Sequence, residues 1–299
     1  MTHIVVSEFN SSESWSILTD MERSIKAKIE AVGTPLKEWD ISINYGIKTG
    51  FNDAFIIDSA KRKQILSNCQ TEEERIRTEA IIRPILRGRD IKRYDYDFAD
   101  QYIIATFPSR HYNIDDYQAL KTHLLSFGIE RLEQTGKEYF IEGEKVKARK
   151  KTNNKWFETQ DSISYWDVFL KPKIIWKRVG SILRFSYDEE GLYGLDSTCF
   201  AVGEDIAYIC CFLNSSMGHY LLNGAPRTGT GDLLISVQAV EPIKIPIITS
   251  ELNETFKTII DKALSNPDAI IDEEVDNIIF SLYGLADEEK GFLITNFRG

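Results

Sequence analysis

Long apolar runs are missing from these 299 residues, and none approaches the roughly 18 to 20 residues that cross a bilayer, so no membrane partner is expected. The opening MTHIVVSEFNSSESW has neither a basic start nor an extended apolar core, and a cytoplasmic protein is the expectation. Cysteine and histidine are scarce. Cys69, Cys199, Cys210 and Cys211 form no C-x-x-C pair, and the four histidines (His3, His111, His123, His219) are scattered along the chain. That pattern argues against a structural zinc or a disulfide framework and for cysteines used as small buried apolar residues. There is no G-x-x-x-x-G-K-[ST] phosphate loop, "GTGD" at 229–232 lacks the third glycine of a dinucleotide fingerprint, and no Ser or Cys sits in a nucleophile elbow.

Basic charge is also in short supply overall, since the net charge is −10 and the pI near 5.1. Its distribution is uneven. Between Lys145 and Arg184 eleven Lys/Arg face three acids, a local +8, which leaves −18 for the remainder. A basic face on an acidic body suits a polyanion partner, while a solvated charge run on an exposed loop is the plainer alternative.

The chain reads as helix over 14–31, where Trp15, Ile17, Leu18, Met21, Ile25 and Ile29 recur at helical spacing until Gly33 and Pro35 end it. "LKEWDISI" reads as a strand entering a turn rich in special residues, "NYGIKTGFND", with "AFIID" as the returning strand of a hairpin. Helices are expected over 72–82, 115–134 and 205–224, and strands at "QYIIATF", "KPKIIWKRV", "ILRFSYD" and "YGLDSTCFAV". Residues 136–156 show much charge and little periodicity and read as an irregular arm. The acidic tail beyond Ser250 is helical, with eleven acids against four bases. The predicted class is α+β: a twisted, mostly antiparallel sheet with flanking helices, the basic arm and a helical C-terminal region. Its divisions are an N-terminal helical linker region (1–35), a recognition domain (36–250) and the acidic helical region (251–299).

One arrangement imitates metal-nuclease chemistry: Pro267-Asp268, then Glu288-Glu289-Lys290. Such sites present carboxylates and a lysine around a metal. Here "ADEEK" has the acidic first turn of a helix, so composition explains the match. A nuclease using Asp268, Glu288 and Lys290 stands as one alternative function, and a protein-interaction scaffold as another.

Five blocks in order, "INYGIKTGFNDAFII", "IIRPILRGRDIKRYDYD", "FLKPKIIWKRV", "AYICCFLNSS" and "KIPII", closely resemble the TaqI-like C-terminal specificity domains of adenine-specific DNA methyltransferases and fused restriction–modification enzymes. The resemblance covers roughly residues 12 to 250, and the tail looks like the helical end of the same enzymes. It implies recognition of double-stranded DNA by a chain that is itself non-catalytic. The (N/D)PP(Y/F) motif and the glycine motif for S-adenosylmethionine, both expected of the methylating half, are not found in this sequence. The cofactor is therefore expected in a separate methyltransferase module, and the chain would partner that module and, where the enzyme carries one, a nuclease module. The piece looks like a dissected fragment or a separately encoded subunit.

Candidate DNA-facing residues follow. Gly46 and Gly50 permit close approach or unusual backbone, Lys48 and Thr49 suit a phosphate, and Asn52 or Asp53 can close the turn. Lys145, Lys147, Arg149, Lys150, Lys151 and Lys155 supply charge in the arm, while Asn153, Asn154 and Arg149 could read base edges. Trp156 is expected to anchor the arm. Alternation places Ile174 and Trp176 on one face and Ile175 and Lys177 on the other. Arg178 and Arg184 could reach DNA or pair with Asp188 or Glu189. Arg87 and Arg89 face the same choice between phosphate and local carboxylate, and Arg227 and Thr228 sit in a glycine-rich loop.

Overall fold

The computed structural model of the chain describes residues 18–141, 143–266 and 271–298. Trp15, Ile17, Pro267 and Asp268 lie outside them. The first helix, Asp20–Val32, starts with a capping box: the Thr19 hydroxyl accepts from Glu22 N at 3.2 Å, and the Glu22 carboxylate takes Thr19 N at 2.8 Å. Both satisfy donors that the first helical turn leaves orphaned. Ile25 and Ile29 form its buried stripe. Gly33–Pro35 then pairs antiparallel with Lys244–Pro246, which ties this helix to the far end of the chain.

The first sheet is antiparallel, in the order Phe185–Asp188, Lys173–Lys177, Thr198–Gly203, Ile41–Tyr45. Period-two alternation decides its faces. Ile174, Trp176 and Cys199 join a cluster with Tyr208, Phe256 and Ile279, whereas Ile175 and Phe200 point into a second cluster. Helices Ile206–Asn214, Ser216–Leu222, Ser250–Ser265, Asp272–Leu282 and Asp287–Phe297 accompany the first cluster. All nine residues of Ile206–Asn214 are buried, Cys210 and Cys211 among them. The continuous helix expected over 205–224 is broken because Ser215 turns extended and caps the next helix through Gly218 N at 3.1 Å.

The second sheet runs Tyr193–Gly194, Ile82–Leu86, Gln101–Ile104, Ile56–Asp58, its first pair parallel and the others antiparallel. Between the two sheets Phe169 lies 4.4 Å from the Phe200 ring centre and 4.5 Å from that of Tyr193. A third cluster, with Phe55, Ile57, Leu120, Leu124 and Phe157, packs helices Ser59–Ser67, Glu72–Ile81 and Gln118–Leu125 against the second sheet. The α+β class is what the sequence predicts.

Four further local expectations change. "AFIID" does not return alongside Ile41–Tyr45: Asn52–Phe55 is a helical turn and Ile56–Asp58 pairs with Gln101–Ile104 in the other sheet. "LKEWDISI" begins as a 3₁₀ turn, Leu36–Glu38. The helix over 115–134 stops at Leu125, since Gly128 adopts φ +84°, and resumes only as Ile129–Leu132. The irregular arm contains a hairpin, Glu138–Ile141 with Glu144–Lys147, and Gly143 at φ +87° serves its turn.

Candidate nucleic-acid interface

The glycine-rich turn is a crossover between sheets. Gly46 N still donates to Thr198 O of the first sheet at 3.0 Å. One residue later Ile47 N donates to Gly194 O at 2.7 Å, and its carbonyl takes Asp196 N at 2.9 Å, which joins the chain to the second sheet. A Cβ on Gly46 would lie 1.9 Å from Leu195 O, so only glycine permits this passage. Gly50, at φ +79°, completes the reversal. Thr49 is 1% exposed; its hydroxyl donates to Asn52 Oδ1 at 2.6 Å and accepts from Phe51 N at 3.1 Å. Of the expected phosphate pair, only Lys48 faces solvent.

Lys48 and Arg178 border a depression of about 380 Å³ at this seam, with Tyr45, Tyr165, Asp161 and Asp196. Arg178 lies 6.0 Å over the Tyr45 ring, and its Nε is buried without a hydrogen-bond partner among the described residues. Burial pushes the Asp161 carboxyl upward, against the downward pull of Lys48 and, more weakly, Lys150, while Asp196 adds to the rise. Burial raises the Tyr165 hydroxyl to about 12, with Asp161 reinforcing it. Both acids and both tyrosines escaped the sequence reading. They come from three separate segments, and no local pattern announces their meeting.

Ser197 links this depression to a second one. Its carbonyl accepts Arg178 N at 2.9 Å and its hydroxyl accepts Gly88 N at 3.0 Å. There Arg89, Lys177 and Arg184 surround a hollow of about 210 Å³ floored by Gly88 and Gly180. All three cations are exposed and without an ion pair among the described residues. The carboxylates offered to Arg184 are otherwise used, for Asp188 is buried against Lys173 and Glu189 accepts the Tyr187 hydroxyl at 2.9 Å. Arg87, in contrast, is locked to Asp90 through Nε at 2.9 Å and Nη2 at 2.8 Å.

The arm divides the same way. Arg149 is 4% exposed and donates to the carbonyls of Leu132, Thr49, Glu158 and Trp156 at 2.6–3.0 Å. Desolvation draws its guanidinium down to about 10, with Glu158 opposing the fall. It clamps the arm to the crossover turn from within and presents no edge to a base. Asn154 gives Nδ2 to Thr159 O and Gln160 O at 3.2 and 2.8 Å, and Lys145 pairs with Glu138 at 2.8 Å. Trp156 packs against the third cluster. Lys147, Lys150, Lys151, Asn153 and Lys155 remain exposed. In the glycine loop Arg227 bonds Gly231 O and Asn223 Oδ1, and Thr228 shares a hydrogen bond with Thr230.

A family model described as the TaqI-like C-terminal specificity domain matches residues 83–246. Among solved structures, the type IIL restriction–modification enzyme MmeI, determined in complex with DNA, superposes with a TM-score of 0.55 at 13% identity, over 89% of this chain and 36% of that one. The type IIG restriction endonuclease BpuSI does so with 0.51 at 11% identity, over 93% and 33%. At such identities the likeness is one of fold, and the chain spans about a third of the length of either enzyme. No curated protein matches.

Proposed function

The chain belongs to the family of TaqI-like C-terminal specificity domains, and from that premise we propose that it recognises a specific duplex DNA sequence for an adenine-specific methyltransferase or restriction–modification enzyme. The observation that carries the reading is the line of cations along the sheet seam that form no ion pair among the described residues: Lys150 and Lys48, then Arg178, then Lys177, Arg89 and Arg184. Cations held in no ion pair remain available to phosphate even on an acidic protein. Asp161 and Asp196 lie among them and would repel phosphate, but a carboxylate accepts the exocyclic amino group of a base. The seam thus offers phosphate contacts that position a duplex and acceptors that read it. That MmeI was solved with DNA supports DNA as the ligand.

Catalysis belongs to other modules in this reading. Transfer of the methyl group, and the S-adenosylmethionine it consumes, would reside in a methyltransferase module that takes the adenine while this chain holds the helix. The nuclease alternative gains nothing: Glu288 is exposed in the first turn of Asp287–Phe297, Lys290 pairs with Asp287 at 2.8 Å, and Asp268 is outside the described residues. A scaffold for an acidic partner differs in its readout, because DNA binding would then be absent.

Fluorescence anisotropy with labelled duplexes across a salt series tests the proposal. Changing Lys48, Lys177 and Arg184 together to Gln is expected to flatten the log–log salt slope, by up to about one unit for each phosphate that is no longer neutralised. An unchanged slope would remove the seam as the binding face. Calorimetric titration with S-adenosylmethionine is expected to show no binding, and micromolar affinity would overturn the division of labour.

A further inference from the structure

The segment from Asp161 to Trp166 borders two different hollows. Tyr165 lines the seam, and the next residue, Trp166, lines a separate pocket of about 210 Å³. Three arginines reach this second pocket, and each lies over an aromatic ring. Arg110 sits 3.8 Å from the Trp166 ring centre and 5.9 Å from that of Tyr112. Arg83 lies 5.7 Å over Tyr193, and Arg77 lies 6.0 Å over Tyr117. Arg62, Arg75 and Arg93, by contrast, each hold a carboxylate. Arg77, Arg83 and Arg110 form no ion pair among the described residues, although Glu73 lies within electrostatic reach of Arg77 and Asp116 and Asp167 stand near the rim. Arg77 donates to the Asp116 carbonyl at 3.2 Å, and Arg83 Nε is buried without a hydrogen-bond partner among the described residues.

A guanidinium stacked by its face keeps its edge donors for something else, and those donors form a fork that fits a phosphate. Aromatic and guanidinium planes in turn accept a base by stacking. The geometry points to a second binding site, for one nucleotide unit, its phosphate held by the edges of Arg83 and Arg110 and its base laid against Tyr112 and the Arg110–Trp166 stack. This site stands whether or not the seam binds a duplex. The nucleotide could be free or could be an unpaired nucleotide of DNA, since both present the same base and phosphate.

Trp166 reports on the site by fluorescence, and Trp166→Phe identifies its signal among the five tryptophans of the chain. Titration of the full chain with dAMP is expected to give a saturable change that Trp166→Phe abolishes. Deoxyadenosine and inorganic phosphate should each bind about tenfold or more weakly, because each lacks one half of the recognition. Arg110→Gln, at an exposed position, should weaken dAMP about tenfold without shifting the melting temperature. Arg83→Gln, followed by competition against labelled dAMP, provides the same reading through the other arginine. No saturable change with any of the four deoxynucleotides up to millimolar concentration would overturn the site, as would wild-type affinity in both arginine variants. A duplex carrying one unpaired nucleotide settles the source. Tighter binding than its fully paired counterpart, with the preference lost in Arg110→Gln, assigns the site to DNA; dAMP binding without that preference assigns it to the free nucleotide.

Discussion

Lys173 and Lys177 end the same five-residue strand, yet the fold treats them oppositely. Lys173 is fully buried, bonded to Phe169 O at 2.6 Å and paired with Asp188, which in turn accepts the backbone N–H groups of Glu190 and Leu192. Lys177 is exposed, beside Arg89 and Arg184 and without a carboxylate among the described residues. The contrast extends to whole regions. At the helical end Lys28 pairs with Glu289, Lys262 with Glu274, Lys290 with Asp287 and Arg93 with Asp272. Along the seam the cations form no ion pair among the described residues. A cation engaged inside the fold supports the structure, and one left free is available to a partner. Burial and hydrogen bonding separate the two sets; residue type does not.

The strongest way to break that comparison is Arg149, which the sequence places among the free cations and the structure among the engaged ones. Four carbonyls accept from it; removing the guanidinium takes a donor from each, and of the four only Thr49 O, with Gln160 N at 3.2 Å, and Glu158 O, with Gln134 Nε2 at 3.0 Å, have another among the described residues. Arg149→Met is expected to cost about 3 kcal/mol or more in chemical denaturation. Lys150→Ala, one residue away and exposed, should change stability by less than about 0.5 kcal/mol. Equal effects would erase the distinction between the two sets.

Arg149 also marks the limit of what the sequence discloses. The run "KVKARKKTNNK" reads as charge, and its one hint is Ala148, a small apolar residue amid lysines that proves 3% exposed. Alternation in "KIIWK" foretells both faces of the central strand, because each face meets an apolar cluster and the period is local. The glycines of the crossover are legible as a special turn. Their use is not, since "AFIID" pairs with Gln101–Ile104 and strand partners lie beyond any local window. The seam is legible for the same reason only in part: its lysines and arginines stand out, while Asp161, Asp196, Tyr45 and Tyr165 are assembled by the crossover.

The helical end has a sharper test in His219. Its Nδ1 meets Phe297 O at 3.1 Å, and burial, aided by the nearby Arg93, lowers its pKa to about 4 from an ordinary 6.5. Between those values the unfolded chain binds a proton that the folded chain refuses. Stability is therefore lost as pH falls from 6.5 toward 4, by up to about 3 kcal/mol. Buried Asp276, whose carboxyl burial raises, contributes with the opposite sign at acid pH, so the comparison must be made against a variant. His219→Gln is expected to flatten the fall in melting temperature over that window. A parallel pH profile in both proteins would assign the acid sensitivity elsewhere.

Gly50 is the next smaller effect and sharpens the comparison at the turn itself. At φ +79° an added Cβ is strained, and it would lie 2.8 Å from Gln160 Oε1 and 3.2 Å from Arg149 Cδ. Gly50→Ala should destabilise the fold by about 1 kcal/mol or more. Gly143, also at positive φ but in the hairpin turn with nothing within 4 Å of such a Cβ, is the control, expected to lose only the backbone term. If the two cost the same, the packing around Gly50 yields freely and the turn is no firmer than an exposed hairpin tip.

Lys48→Ala is expected to have the smallest effect on stability and the most informative one on binding. The side chain is exposed and forms no ion pair among the described residues, so the melting temperature should hardly move. Only its backbone is engaged, where the Lys48 carbonyl takes Gln160 N and Asp161 N at 3.2 and 3.3 Å, and alanine preserves both bonds. If Lys48 meets a phosphate, its removal weakens a selected target duplex and a scrambled duplex by the same factor, because phosphate carries no sequence information. Asp161→Asn makes the opposite prediction. Replacing the carboxylate removes a repulsion for phosphate and converts an acceptor of base amino groups into a mixed group, so the ratio of target to scrambled affinity should fall while scrambled binding rises. The two variants measured together, at one salt concentration, separate positioning from reading at the seam. A selective loss of target affinity in Lys48→Ala would show that the lysine itself reads bases, and an unchanged affinity ratio in Asp161→Asn would leave the seam with phosphate contacts alone.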